Sequence, residues 1–130
     1  MFDAWEIELH GHQVVYRIAG DGPPVVLVHG MASDASTWDS YKQFLPHAHP
    51  DAHGYAVGDA QAPGTMNTGA FTDPFHVNTL PQNANVLDGY IDAVRKSAKA
   101  DRIDLVAHSM GGLISRWWIQ QLMPDDRRAT

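Results

Sequence analysis

Hydrophobic and polar residues alternate at the start of the chain. Trp5, Ile7 and Leu9 are separated by Glu6 and Glu8 and followed by His10, the two-residue period of a half-buried strand. Gly11 offers a turn, and Val14, Tyr16 and Ile18 then repeat the alternation, so an antiparallel pair is expected at one edge of a sheet. After the turn-rich run 19–24 the pattern changes. Val25, Val26, Leu27 and Val28 are continuously apolar, as in a parallel strand buried on both faces. Over 37–45, Trp38, Tyr41 and Leu45 fall on one side of a short helix that Pro46 is expected to end. Tyr55, Ala56 and Val57 read as a short strand, and residues 58–78 as a long loop rich in Gly, Thr, Asn and Pro. Thr79-Leu80-Pro81-Gln82 fits a capping box with Pro in the first turn. Ala84, Leu87, Ile91, Val94 and Ala98 continue from it as the stripe of a helix packed on a sheet. A last apolar run, residues 103–107, is followed at once by a helical pattern to about Leu122. Leu113, Trp117, Ile119 and Leu122 are the candidates for its buried face.

At the junction of that last strand and helix stands Ala107-His108-Ser109-Met110-Gly111-Gly112. A Ser at the apex of a strand–turn–helix, with small residues two positions to either side, fits G-x-S-x-G with Ala107 in place of the first Gly. A turn this tight leaves no room for side chains at its flanks, and it projects the hydroxyl out of the sheet. The N–H of Met110, at the helix start, can face a developing oxyanion.

These residues resemble the nucleophile elbow of lipases and esterases of the α/β-hydrolase family. Val25-Val26-Leu27-Val28-His29-Gly30-Met31 is similar to that family's strand and His-Gly oxyanion loop, and the two motifs stand in the family's order. The resemblance covers about the first half of such a domain. It implies a partial α/β-hydrolase fold: a mostly parallel sheet of about five strands, with an antiparallel N-terminal pair and flanking helices. It also implies Ser109 as nucleophile and the backbone N–H groups of Met31 and Met110 as the oxyanion hole. His29, Gly30, His108, Gly111 and Gly112 would support these groups, with the His29 ring orienting its loop by hydrogen bonds rather than transferring protons. The region equivalent to 58–78 borders the substrate entrance, where Met66, Phe71 and Phe75 either line an acyl-pocket rim or plug the loop down.

The family's triad continues with an acid and then a His. Ser109 is followed by 21 residues in this 130-residue sequence, and none of them is His. Asp125 and Asp126 lie beyond a helix of about three turns, roughly 20 Å from the elbow by helical rise. His108 is adjacent to Ser109 and so points elsewhere. The expectation is that residues 1–130 are the N-terminal portion of one longer hydrolase domain, with the missing half supplied by another chain, or His76 substituting, as lesser alternatives. Two functions are therefore carried forward. One is a serine hydrolase acting on small-molecule or lipid carboxylic esters. The other is an inactive truncated or pseudoenzyme fragment serving as a binding module.

Composition narrows this little further. A net charge of −6 with scattered Lys and Arg offers no basic stripe for nucleic acid. No Cys is present, so disulfide and cysteine–metal frameworks are excluded, and no cofactor is called for. His47, His49, Asp51 and His53 crowd one Pro-interrupted run, read as a solvated loop rather than a metal site. No apolar run approaches about 18 residues, so no transmembrane helix is expected. The first residues lack the basic-then-apolar pattern of a secretory signal, which favours a cytoplasmic location. The pattern does not address oligomeric state.

Overall fold

A computed structural model describes residues 3–9, 12–18, 24–48, 53–73 and 75–123. Strands β1 (Asp3–Leu9) and β2 (His12–Ile18) pair antiparallel, with Asp3 opposite Ile18 and Leu9 opposite His12. They form a two-stranded ladder of their own. The second sheet has the order β4-β3-β5, with β3 (Val25–Val28) flanked in parallel by β4 (Gly54–Ala56) and β5 (Asp104–Ala107). Among the described residues, the expected single sheet of about five strands is thus corrected to a three-stranded parallel sheet and a separate two-stranded antiparallel ladder.

All four residues of β3 are buried, and their alternation explains the layers. Val25 and Leu27 pack with Trp38, Tyr41 and Leu45 on one face of the sheet. Val26 and Val28 pack with Ala84, Leu87, Tyr90, Ile91, Val94, Ile114 and Trp118 on the other. The first face is covered by a 3-10 turn (Ala35–Trp38), capped by the Asp34 carboxylate, that runs into α1 (Asp39–Ala48). Pro46 lies inside α1 rather than ending it. Its ring removes one N–H, and the helix continues only to Ala48.

The opposite face carries α2 (Leu80–Ala98) and α3 (Met110–Trp117), the latter prolonged by a π-helical turn, Trp118–Leu122. The capping box is present. Thr79 Oγ1 accepts from the Gln82 N–H, and the Gln82 side chain accepts from the Thr79 N–H. The buried face of α3 and its extension matches the expected one only at Leu122, which packs partly buried against the core. Leu113, Trp117 and Ile119 are exposed, whereas Gly111, Ile114, Ser115 and Trp118 are buried. The helix phase is set by two tertiary contacts that periodicity does not encode. Gly111 presses on the end of β3, and Trp118 Nε1 donates to Asp88 of α2 at 2.8 Å.

Both helical layers meet at Asp59, just past the end of β4. Its carboxylate accepts from Lys42 Nζ of α1 at 2.8 Å and from the Tyr90 hydroxyl of α2 at 2.8 Å. It also accepts from the Ala56 and Gln61 backbone N–H groups, each at 3.0 Å, and from Gln61 Nε2 at 2.6 Å. Burial by itself would raise this carboxyl. The donors from Lys42, Gln61 and Tyr90 outweigh burial and hold it at about 2, below its ordinary 3.8. A depressed carboxyl contributes stability above its ordinary value and loses it as pH falls through the folded value. Asp59 should therefore supply about 2 kcal/mol that fades between about pH 4 and 2. Urea unfolding across that range should show this loss in the wild-type chain, and Asp59→Asn should be less stable at pH 7 and should lack Asp59's part of it.

Candidate active site

The carboxyl ends of β3 and β5 are joined by a hydrogen bond from the His108 N–H to the Val28 carbonyl, 3.1 Å long. Beyond it the chain reverses from strand to helix at one residue. Ser109 has φ 55° and ψ −126°, a conformation that costs a non-glycine residue on the order of 1–3 kcal/mol. The Gly111 N–H closes on the His108 carbonyl at 3.0 Å and the Gly112 N–H on the Ser109 carbonyl at 2.9 Å. Ser109 is exposed at this apex, and Met110 is the first residue of α3. The first N–H groups of a helix have no partner within it.

The β3 turn meets this apex at close range. A Cβ added at Gly30 would lie 2.9 Å from both the Ser109 Cβ and the His108 carbonyl oxygen, and 3.4 Å from Ser109 Oγ. Gly111 is more confined, since its Cβ would fall 2.5 Å from the Val28 carbonyl oxygen and 2.6 Å from that of His29. Gly112 is different. It faces open space, so the steric need read from the sequence applies to Gly111 and not to Gly112.

His29 is 1% exposed, and burial lowers its pKa from 6.5, against smaller opposing effects of the Gly30 carbonyl and the Asp34 charge. Its Nδ1 lies 3.2 Å from the Gly30 carbonyl, an acceptor only, so Nδ1 carries the proton. Met31 turns its side chain outward, 68% exposed. His108 is half-buried. Ser109, Gly30, Met110 and Gly111 are thus brought together, with buried His29 preceding Gly30.

A profile of the alpha/beta hydrolase family matches residues 25–126. The chain belongs to this family. Relatives of this α/β hydrolase include 2-hydroxy-6-oxo-2,4-heptadienoate hydrolase of Pseudomonas putida, 31% identical over 116 residues, covering 84% of this chain and 34% of the relative. Lysosomal thioesterase PPT2-B of Xenopus laevis is 28% identical over 99 residues, covering 76% of this chain and 31% of the relative. Among solved structures, an epoxide hydrolase from Vigna radiata aligns with a TM-score of 0.45 at 21% identity, over 92% of this chain and 36% of that one. The chain spans about a third of the length of each.

Some of the other sequence candidates lie outside the described residues. Met66 is 4% exposed and packs in the core, the plugging alternative, whereas Phe71 and Phe75 are 93% and 91% exposed. His76 is exposed and its Nδ1 contacts both Asp73 oxygens, at 2.7 and 2.8 Å. His53 pairs with Gln61 at 2.6 Å, while His49, Asp51, Asp125 and Asp126 lie outside the described residues. Thr68 and Asn83, both buried, escaped the sequence reading although they border the β3 turn and its support. A buried Thr in a Gly-rich loop and an Asn in the first turns of α2 carry no motif.

The two adjacent glycines of α3 give a sharp contrast. Gly111→Ala forces Cβ into two carbonyl oxygens and should destabilise the fold by about 1–3 kcal/mol or more. Gly112→Ala meets nothing and should stabilise it by about 0.5–1 kcal/mol through helix propensity. Thermal or urea unfolding of the two variants beside the wild-type chain measures both.

Proposed function

We propose that residues 1–130 form the N-terminal portion of an α/β-hydrolase domain in which Ser109 is the nucleophile of an esterase- or lipase-type acyl transfer. The observation that carries this reading is the Ser109 backbone, held at positive φ between β5 and α3 with Gly30 packed against it. Such strain persists at a site only when the surroundings impose it, and here it exposes a hydroxyl at the start of a helix. The substrate class is carboxylic esters, of small molecules or lipids. The hydrolase and thioesterase relatives support acyl chemistry in general more than any one acyl group.

In this mechanism Ser109 Oγ attacks the acyl carbonyl carbon while its proton passes to a base. The tetrahedral oxyanion is held by the Met31 and Met110 N–H groups, each loss of which costs roughly 3–4 kcal/mol in enzymes of this kind. Collapse expels the alcohol, which takes the proton, and water then hydrolyses the acyl-serine. The base and its acid are assigned to polypeptide beyond these residues. The Asp73–His76 pair is the alternative within them, since its Nδ1 contact leaves Nε2 available.

The second reading is a non-catalytic module that keeps the elbow as an inherited turn. A serine-directed fluorophosphonate separates the two, and a short-chain p-nitrophenyl ester locates the base. The nucleophile reading predicts stoichiometric labelling that Ser109→Ala abolishes, and equal labelling of both proteins, or of neither, would leave the module. Ester turnover by these 130 residues that the same variant abolishes would move the base to the Asp73–His76 pair.

A further inference from the structure

Thr68 sits on the 58–78 segment, 2% exposed, and touches the β3 turn on both sides of Met31. Its carbonyl accepts from the Ala32 N–H at 3.0 Å. Its hydroxyl donates to the Ser33 carbonyl at 3.3 Å and lies 3.5 Å from His29 Nδ1. The donors and acceptors close consistently. His29 Nδ1–H points to the Gly30 carbonyl with the Thr68 oxygen beside it, and the single hydroxyl proton goes to Ser33. Ala32, between these contacts, is at φ 51°, a left-handed conformation that a residue with a Cβ adopts only when held.

The consequence runs through one peptide unit. The Gly30 carbonyl and the Met31 N–H belong to the same planar trans peptide and point in opposite directions. Tying the carbonyl to buried His29 therefore fixes the Met31 N–H to point the opposite way, away from the His29 ring. Thr68 is itself anchored by a helix rather than by loop residues alone. Asn83 of α2, fully buried, accepts from the Asn67 N–H at 3.0 Å and donates to the Asn67 carbonyl at 2.9 Å.

We propose that Thr68 is a positioning residue of the active site, a strut from α2 that fixes His29 and the Gly30–Met31 peptide so that the Met31 N–H can receive an oxyanion. This rests on the reading of Ser109 and Met31 given above and adds a residue from a segment with no recognisable motif. Two readouts test it on the full 130-residue chain.

The first is the labelling of Ser109 by the fluorophosphonate, resolved into half-saturation and maximal rate. Thr68→Val keeps the shape and removes the hydroxyl. It should lower the maximal rate about tenfold or more, part of what losing a whole oxyanion donor costs, with half-saturation nearly unchanged. Thr68→Ser should restore the rate to near wild type. An undiminished Thr68→Val rate, or a serine variant as slow as the valine one, overturns the proposal.

The second readout is nitrogen-15 NMR of the His29 ring and the Met31 amide, which needs no turnover. Thr68→Val should shift the Met31 amide and speed exchange of the His29 Nδ1 proton, and Thr68→Ser should do neither. Unmoved signals in Thr68→Val overturn the proposal. Absence of any Ser109-dependent labelling in the wild-type chain would instead sink the nucleophile reading and leave the NMR arm to decide the strut. If the valine variant does not fold, Thr68→Ala takes its place in both measurements.

Discussion

The contact between Gly111 and the end of β3 is the constraint from which the rest of the site follows. Helix α3 begins so close above β3 that a single Cβ would run into two carbonyl oxygens. That proximity is possible because β3 and β5 are adjacent parallel strands, kept in register to their last residues by the His108–Val28 hydrogen bond. The chain must then leave β5 and enter α3 without a loop, and Ser109 absorbs the reversal at φ 55°. The backbone energy stored there, on the order of 1–3 kcal/mol, is small against the burial of β3 on both faces and of Ile114 and Trp118. The exposed hydroxyl is thus a by-product of packing a helix onto a strand at minimum distance.

A second set of forces orders the segment 58–78, which has hardly any regular secondary structure to order it. Asp59 at its start gathers Lys42 from one helical layer and Tyr90 from the other, so its charge ties both faces of the sheet together. Met66 is sunk in the core, and Asn67 is gripped by Asn83. The stretch beyond Thr68 carries exposed Phe71, Phe75 and the Asp73–His76 pair. A loop that would otherwise cost considerable conformational entropy is pinned by a few buried polar contacts, each worth more because its partner would be left unsatisfied.

The legible parts of the sequence were those whose cause is local. The run at Val25–Val28 announced a strand buried on both faces, and Thr79 with Gln82 announced the start of α2. Ser109 between small residues announced a tight strand-to-helix turn. Features set by tertiary contact were not legible. The face of α3 follows from Gly111 against β3 and Trp118 against Asp88, so Ile114 is buried where periodicity offered Leu113. Pro46 marked the end of α1 only to within a turn. Asp59, Thr68 and Asn83 act across distances of about 15 to 40 residues in sequence, where no pattern signals which polar residue of a loop will be buried.

The three strands differ in burial in a way that bears on the site. Every residue of β3 is buried, whereas in β5 Asp104 and Ala107 are exposed and Leu105 and Val106 only half-buried. A parallel strand in an α/β sheet is ordinarily covered on both faces. The helix that follows β5 also leaves Leu113, Trp117 and Ile119 uncovered. Ser109 sits between these two elements, at the least covered margin of the sheet. On the proposed reading, polypeptide that covered β5 and the open side of α3 would also lie nearest the Ser109 hydroxyl. The same packing that completed the sheet could then bring a base and its acid to the nucleophile. Folding and catalysis would be completed at one interface, because the elbow joins the strand that needs a neighbour to the hydroxyl that needs a base.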